Sequence, residues 1–183
     1  VLYAGSYERL WLKHFDLDHE MMDSLQNQIP GYSMRMQEVT AAMLTPQIAR
    51  LPVIKDIHVR NWHLLHALIN DHPNIEIPMP LPQVDSFCDT MQFHLVGLSR
   101  ERADRFIDVM KQEGIPMQIF GAKRNARDFR QWEYIEAHKD ELKDTIANIE
   151  FACDLSLQPH LTEENIRVIG RVVQEVLDYI NRT

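Results

Sequence analysis

Several residue types and patterns are scarce in this sequence of 183 residues, and each scarcity excludes a class of protein. Only 6 residues are glycine, and no glycine-rich phosphate-binding loop occurs. The two cysteines, Cys88 and Cys153, have no metal-ligand spacing, and they indicate buried thiols in a reducing compartment rather than a disulfide. No apolar run approaches the length of a membrane span, and no signal peptide is recognisable. We therefore expect a cytoplasmic protein.

Basic residues are also few. The 19 lysines and arginines are outnumbered by 27 acidic residues, which gives a net charge of −8 and argues against nucleic-acid binding. The sequence lacks a Gly-x-Ser-x-Gly nucleophile motif, a His-Glu-x-x-His motif and any carboxylate arrangement typical of catalysis. His63 and His66 stand three residues apart on a predicted helix, but no third ligand follows at suitable spacing. We therefore predict no metal site.

The apolar content of 45% is ample for the core of one domain, or of one domain with an extension. The sequence begins at Val1, without an initiator methionine, and its first residues have the pattern of a helix interior. We therefore expect it to be part of a longer chain.

Hydrophobic periodicity predicts mainly helices over the first 72 residues. The pattern predicts a helix from Leu2 to Phe15, a short helix or loop over residues 20–28, and a helix from Met34 to Ile48 that Pro46 kinks or ends. A further helix is expected from Pro52 to Asn70. Its apolar face comprises Ile54, Ile57, Leu64, Leu65, Leu68 and Ile69.

From residue 73 onward the pattern alternates between strands and helices, which predicts a small α+β unit with a short sheet packed by helices. Strands are expected at 74–78, 90–98, 115–120 and 150–157. The strand at 90–98 is expected to be central in the sheet, because both of its faces are largely apolar. Helices are expected at 100–113 after the cap Ser99, in two pieces within 133–149, and after the cap Thr162. A loop is predicted at residues 79–89, because one proline precedes this segment and two more lie within it.

A turn followed by polar residues precedes the predicted helix 34–48. Pro30 and Gly31 favour a turn. Directly after it, Tyr32, Ser33 and Arg35 bring hydroxyls and a guanidinium to a helix start with free backbone N–H groups, which suits an anion such as phosphate. An ordinary helix start with a surface arginine is the alternative, and it is the commoner situation.

A second candidate anion site is the basic loop at residues 123–130. It contains the four cations Lys123, Arg124, Arg127 and Arg130, beyond a strand that ends at Phe120 and a glycine that permits a sharp turn. The alternative is a solvated loop in which Arg127 pairs with Asp128 or Glu133 and serves only the shape of the loop.

The run from Gly31 to Met43 resembles the GYNYRMSELQAA signature of the DegT/StrS-like sugar aminotransferases, which are pyridoxal-phosphate enzymes of the aspartate-aminotransferase fold. The segment Ser156–Glu164 is similar to the family's SLPLHPGLTEED, and Gly114-Ile115 is similar to its GI before the active-site loop. The resemblance extends in pieces from about Leu25 to Ile180. The matching residues of the signature and its continuation are Gly31, Tyr32, Arg35, Met36, Glu38, Ala41, Ala42, Gln47 and Leu51.

This resemblance implies an α/β fold of the pyridoxal-phosphate-transferase type, of which the chain is the C-terminal part. Residues 1–72 would link the large and small domains, and residues 73–183 would form the small α+β domain. The catalytic lysine is expected upstream, so no catalytic residue is expected in this chain. The implied activity is transfer of an amino group from an amino acid to a keto-sugar or related ketone. The alternative is a non-catalytic α+β module for binding or dimerisation.

The resemblance also implies roles for particular residues. Tyr32, Ser33 and Arg35 would bind the phosphate of pyridoxal 5′-phosphate in the neighbouring subunit of a homodimer, with Ser33 where the family has asparagine. The loop after the GI strand borders the substrate pocket in the family. Phe120, Lys123 and Arg127 are therefore the expected substrate-binding residues.

Overall fold

The computed structural model describes residue 36 and residues 38–122, 128–132 and 141–182. The expected helix at 2–15 and the segment 20–28 lie outside these residues. Five α-helices, four β-strands and one short 3₁₀ helix occur in the described part of the chain. In chain order they are α1 (Glu38–Ile48), α2 (Leu51–Ile69), β1 (Ile75–Glu76), β2 (Thr90–Leu95), α3 (Arg100–Gln112), β3 (Gln118–Ile119), the 3₁₀ helix (Phe129–Gln131), α4 (Lys143–Glu150), β4 (Ala152–Ser156) and α5 (Glu163–Arg182).

The four strands form one antiparallel sheet in the order β1-β2-β4-β3. Its register places Phe93 opposite Cys153 and Gln92 opposite Asp154. Because side chains alternate between the faces of a strand, one face of the sheet is apolar and buried while the other carries polar residues. The apolar face consists of Met91, Phe93, Leu95, Ile119, Cys153 and Leu155.

The central position of β2 is confirmed, but the reason given for it from the sequence is wrong. Thr90, Gln92 and His94 lie on the polar face and remain at least partly exposed, so the strand is not apolar on both sides. It also ends at Leu95 instead of residue 98, because Gly97 adopts the left-handed conformation with φ of 71° and Ser99 already caps the next helix.

The core lies between the apolar face of the sheet and helices α2, α3 and α5. The helical spacing of apolar residues after Thr162 predicts a buried face, and α5 buries all of these residues together with Gly170. The predicted residues are Ile166, Ile169, Val173, Val176, Leu177 and Ile180. A Cβ atom on Gly170 would lie 2.9 Å from Leu68 Cδ1 and 3.0 Å from Leu68 Cβ, and Gln174 Nε2 donates to the Leu68 carbonyl oxygen at 2.5 Å. The missing side chain of Gly170 therefore lets α2 and α5 approach closely.

Both predicted helix caps are present. Ser99 Oγ accepts a hydrogen bond from the Arg102 N–H at 3.3 Å. Thr162 Oγ1 accepts from the Asn165 N–H at 3.2 Å, and Asn165 Oδ1 accepts from the Thr162 N–H at 3.0 Å. This reciprocal pair is a capping box with asparagine in the place of the usual glutamate or glutamine. The caps fix where α3 and α5 begin.

Helix α2 occupies the predicted range, but its buried face is rotated from the expected one. Ile54 and Ile57 are only half-buried, whereas His58, Asn61 and Trp62 are buried. Asn61 is fully buried because its Nδ2 donates to the Leu161 carbonyl oxygen at 3.1 Å, which fastens α2 to the start of α5. A side-chain amide with hydrogen-bond partners can therefore take the place of an apolar side chain on this buried face.

The outer strands are shorter than expected. β1 has two residues because the prolines that begin at Pro78 cannot donate hydrogen bonds to a ladder. β3 covers Gln118–Ile119, and Phe120 adds one further backbone hydrogen bond to Ala152 O at 2.9 Å before the chain turns. The loop expected at 79–89 is confirmed.

Candidate cofactor and substrate site

The three predicted phosphate-binding residues, Tyr32, Ser33 and Arg35, lie outside the described residues. Helix α1, which begins at Glu38, three residues after Arg35, is described in full. None of its eleven residues is buried, and apolar side chains are distributed around its whole circumference. Val39, for example, is 70% exposed. Because a helix that is apolar on all sides belongs in a protein interior, α1 has the composition of a segment that other protein covers.

Pro46 lies inside α1, and the helix ends two residues later at Ile48, as the sequence predicted. Because proline removes a backbone N–H, it leaves a helix carbonyl without its usual partner. Thr45 Oγ1 donates to the Ala41 carbonyl oxygen at 2.8 Å in the same turn. We call residues 31–36, the turn and the polar residues before α1, the junction. Helix α1, which follows the junction, is thus a short, self-contained helix connected to α2 by residues 49 and 50.

The donors of the junction fit a phosphate group by their chemistry. Tyr32 and Ser33 carry hydroxyls, and Arg35 carries a guanidinium that can form two parallel hydrogen bonds. The first turn of α1 follows three residues later, and its one acidic residue, Glu38, is exposed. Free N–H groups at a helix start favour an anion nearby. Pyridoxal phosphate would contribute a dianionic phosphate suited to these donors.

The basic loop is described at its two ends, while Lys123 and Arg127 lie outside the described residues. At its start, Phe120 is half-buried at the end of β3, and the next residue, Gly121, donates its N–H to the Ile149 carbonyl oxygen at 2.8 Å. Because Ile149 belongs to the last turn of α4, this bond joins the start of the loop to the end of that helix.

At the other end of the loop, Asp128 and Arg130 form a two-point ion pair. Arg130 Nε donates to Asp128 Oδ1 at 2.8 Å and Nη2 donates to Oδ2 at 2.9 Å. The Asp128 carboxylate is buried and also accepts from the Arg130 backbone N–H at 3.0 Å, which starts the 3₁₀ helix. This pairing raises the pKa of Arg130 above its usual value, chiefly through the hydrogen bond to Asp128.

Arg130 also closes the loop. Its Nη2 donates to the Gly121 carbonyl oxygen at 2.8 Å, so one guanidinium joins both ends of the basic segment. A Cβ atom on Gly121 would lie 2.9 Å from Ile149 O, 3.0 Å from Glu150 Cα and 3.1 Å from Arg130 Nη2. Only glycine allows this approach without a shift of backbone atoms. The predicted substrate-binding residues are therefore carried on a loop with a fixed base.

Sequence reasoning grouped Arg130 with the other cations and missed its structural contact with Asp128. Asp128, suggested as a partner of Arg127, is a partner of Arg130. Its pairing with Arg127 stays a prediction. An aspartate two residues before an arginine, at the cap position of a short helix, was the available signal. The close packing of Gly121 had no equivalent signal, because Ile149 is distant in sequence.

The histidines were the candidate metal ligands of the sequence. Among the described residues, no three histidine, cysteine, aspartate or glutamate side chains form a group able to hold a metal ion. His66 stacks on Trp62 with ring centroids 5.0 Å apart, and the exposed His63 meets the same ring edge-on at 5.2 Å. No helix in the described part of the chain is long and apolar enough to cross a membrane.

Comparison with solved structures defines the fold. A Streptococcus pneumoniae protein described as a sugar aminotransferase matches with a TM-score of 0.66 and 16% identity. The match covers 84% of this chain and 38% of the Streptococcus pneumoniae chain. 3-Amino-5-hydroxybenzoic acid synthase has a TM-score of 0.66 and 21% identity, covering 94% and 47%. The Escherichia coli GDP-4-keto-6-deoxy-D-mannose-3-dehydratase has a TM-score of 0.56 and 16% identity, covering 79% and 37%. The shared fold is that of the pyridoxal-phosphate-dependent aminotransferases, and the chain spans less than half the length of each of these structures.

The model of the DegT/DnrJ/EryC1/StrS aminotransferase family matches residues 8–174. The chain belongs to this family, as the signature at residues 31–43 predicted. No curated protein sequence matches it. The Streptococcus pneumoniae protein has been solved in forms with pyridoxal phosphate and with its amino counterpart. Pyridoxal phosphate is therefore the cofactor that these comparisons indicate for the family.

Proposed function

We propose that this chain is the C-terminal part of a pyridoxal-phosphate-dependent aminotransferase that moves an amino group from an amino acid to a keto-sugar or related ketone. The observation that carries the proposal is the family match over residues 8–174, because it includes both candidate anion sites. When bound, the cofactor would supply the electron sink for the transfer. The catalytic lysine would come from a part of the protein outside this chain.

The chain's own residues would bind and orient. Tyr32, Ser33 and Arg35 would hold the cofactor phosphate of the neighbouring subunit in a homodimer. Phe120, Lys123 and Arg127 would line the substrate pocket, with the cations meeting a carboxylate or phosphate. The fixed base formed by Gly121, Asp128 and Arg130 supports this role, because an anion is bound more tightly by a loop whose ends are already held. The division of the chain at residue 72 into a linking segment and a small domain stays a prediction.

A dehydratase is the second candidate, since the Escherichia coli structure with the same fold is named for dehydration of a keto-sugar. The two chemistries differ in whether the amino group stays in the sugar product. A non-catalytic module is the third candidate. It predicts that the intact protein neither retains the cofactor nor consumes an amino donor.

The test is an assay of the intact protein with pyridoxal phosphate, an amino-acid donor and a panel of nucleotide-linked keto-sugars. We expect bound-cofactor absorbance, a 2-oxo acid formed from the donor, and an aminated sugar in equal amount by mass spectrometry. A deoxy product without nitrogen would identify a dehydratase instead. Absence of stoichiometric cofactor and of donor consumption would support the module.

The role of Arg127 is tested separately. Replacing Arg127 by Ala should raise KM for one substrate by roughly tenfold or more, since a charge-assisted hydrogen bond contributes about 1.5–3 kcal/mol. Arg124→Ala is the matched control and should change KM little. Cofactor absorbance and the melting temperature should not change in either variant. Unchanged KM values for both substrates, or a loss confined to folding stability, would show that Arg127 only shapes the loop.

The 183-residue chain alone should not transaminate, because it offers no lysine in a recognisable cofactor-binding motif. Borohydride reduction of the chain with pyridoxal phosphate should give no stoichiometric label at one site. Complete labelling of a single lysine, found by peptide mapping, would contradict this assignment.

A further inference from the structure

In the described part of the chain, the hydrogen bonds that join helix α4 to other segments lie at its C-terminal end. The helix has eight residues, none of them buried, and its N-cap residue is Leu142, which has no side-chain acceptor. Its last turn contains no basic residue, so the carbonyl groups that end the helix depend on donors from elsewhere. Two donors are backbone N–H groups. Gly121 donates to Ile149 O at 2.8 Å, and Leu95 donates to Phe151 O at 3.0 Å.

Arg100 supplies a third donor. Its Nη1 donates to Glu150 O at 3.0 Å, and its Nη2 lies 2.9 Å from Asp104 Oδ1. Because Glu150 is the last residue of α4, the guanidinium lies at the negative end of that helix's dipole, where a cation is stabilising. Arg100 is also the first residue of α3, where a cation opposes the dipole of its own helix. Its position is therefore explained by the contact with α4, 50 residues away in the sequence.

The α4–β4 corner, residues 149–152, also holds the end of β3. The Phe120 N–H donates to Ala152 O at 2.9 Å, and the next N–H along the chain, that of Gly121, donates to Ile149 O. A Cβ atom on Gly121 would lie 3.0 Å from Glu150 Cα, so the two backbones are in direct contact. A shift of the corner would therefore move residues 120 and 121 with it.

Two guanidinium groups thus stabilise the end of β3 from different parts of the chain. Arg130, at the end of the basic loop, donates to Gly121 O directly. Arg100, at the start of α3, acts on the same residue through the carbonyl groups of α4. The proposed function places Phe120, the residue before Gly121, in the wall of the substrate pocket. Arg100 is therefore connected by two hydrogen bonds and a short stretch of backbone to a proposed substrate contact.

We propose that Arg100 is a positioning residue for the substrate pocket, because by binding the last carbonyl of α4 it fixes Phe120. The inference rests on the proposed function, which gives Phe120 its role, and it makes binding of the substrate depend on a residue outside the basic loop. Arg100 acts through the backbone of residues 120 and 121 and not through a contact with the substrate. The alternative is that Arg100 contributes only to folding stability.

The experiment compares Arg100→Ala and Arg100→Lys with the control Arg102→Ala in the intact protein. Arg102 is an exposed arginine in the same turn of α3, so the control removes the same charge. Arg100→Ala should raise KM for one substrate by roughly three- to tenfold at nearly unchanged kcat, because a pocket wall that must be ordered on binding weakens binding. Arg100→Lys keeps the charge and a donor and should recover part of this loss. Arg102→Ala should leave both constants unchanged.

Two further measurements distinguish positioning from stability. In a double-mutant cycle with Phe120→Ala, Arg100→Ala should add little to KM once the ring is absent, since it acts through that ring. Hydrogen–deuterium exchange of the peptide 117–122 should be at least about tenfold faster in Arg100→Ala than in Arg102→Ala, because the amides of Phe120 and Gly121 lose their fixed acceptors. A purely structural role would lower the melting temperature and leave KM unchanged.

The outcomes separate this proposal from the proposed function. If Phe120→Ala raises KM and Arg100→Ala does not, or if the two effects add fully, Arg100 does not position Phe120 and the proposed function is unaffected. Unchanged KM values in both variants of an active enzyme would remove Phe120 from the pocket, and the proposal with it. An intact protein that transfers no amino group contradicts the proposed function. In that case the exchange measurement decides, because unchanged exchange in Arg100→Ala overturns the positioning role in an active or inactive protein.

Discussion

Helix α1 and helix α5 both contain many apolar residues, but they have opposite surroundings. In α5, apolar residues recur at helical spacing on one side, and Ile166, Val173 and Leu177 are completely buried. In α1, apolar residues occur on every side and none is buried. The comparison shows that apolar content does not by itself define a core. Amphipathic spacing identifies a helix with one side in water, and its absence identifies a helix for which the described part of the chain provides no cover.

The largest expected effect contrasts the core with α1. Phe93 is 1% exposed at the centre of the sheet, and Met43 is 63% exposed on α1. Phe93→Ala should lower the free energy of unfolding by about 3–5 kcal/mol through the cavity it creates. Met43→Ala should change the stability of the 183-residue chain by less than about 0.5 kcal/mol. Urea denaturation measures both values. An equal loss of stability in both variants would show that α1 is packed within this chain, and α1 and the core would then not differ.

The crossing of α2 and α5 should be the next most sensitive place. Gly170→Ala places a methyl group against Leu68 Cβ and Cδ1 at about 3 Å, so one helix must shift. We expect a loss of about 1–3 kcal/mol, the usual cost of overpacking. Val168→Ala, on the exposed side of the same helix, is the control for helix propensity. A gain in stability for Gly170→Ala, as its helix propensity alone would give, would contradict the close packing.

The loop base should contribute less, because Arg130 is one-third exposed. Asp128→Asn replaces an acceptor by an amide whose N–H groups face those of Arg130. We expect about 1–2 kcal/mol less stability after allowance for solvent screening. Asp178→Asn changes a carboxylate that is 56% exposed and should be nearly neutral. A larger loss for Asp178 than for Asp128, measured by thermal unfolding, would place the stabilising contact elsewhere.

The smallest effect concerns the two thiols. Burial raises the pKa of Cys153, so its thiol stays protonated and unreactive in the folded protein. Iodoacetamide at pH 8 should label the half-buried Cys88 first, and Cys153 only after unfolding, as peptide mapping can show. In the unfolded chain the Cys153 thiol ionises near its ordinary pKa of 9.0, while in the folded protein it stays protonated. The free energy of unfolding should therefore fall as the pH rises above 9.0. Rapid labelling of Cys153 in the native protein would mean that the sheet opens readily.

Local signals predicted the helices that depend on local contacts. Ser99 and Thr162 accept hydrogen bonds from N–H groups three residues away, and the face of α5 follows from spacing alone. The rotated face of α2 could not be predicted, because His58 and Asn61 are buried by contacts with Phe87 and with Leu161. Side chains that pack against distant segments leave no pattern in the nearby sequence.

The same distinction applies to the candidate site. The signature at residues 31–43 predicted the family, which the match over residues 8–174 confirms. The role of Arg130 could not be predicted from composition, since its contact with the Gly121 carbonyl depends on the path of the loop between them. The roles of the three junction residues and of Phe120, Lys123 and Arg127 stay predictions.

The strand order has a consequence for synthesis of the protein on the ribosome. Of the four strands of the described sheet, β4 is made last, yet it lies between β2 and β3, and β3 pairs there with β4 alone. Until residues 152–156 emerge, β2 has one open edge and β3 has no partner. The nascent chain therefore exposes a sheet edge and an apolar face throughout the translation of residues 120–151, and chaperones that bind unfolded segments have their best access in that interval.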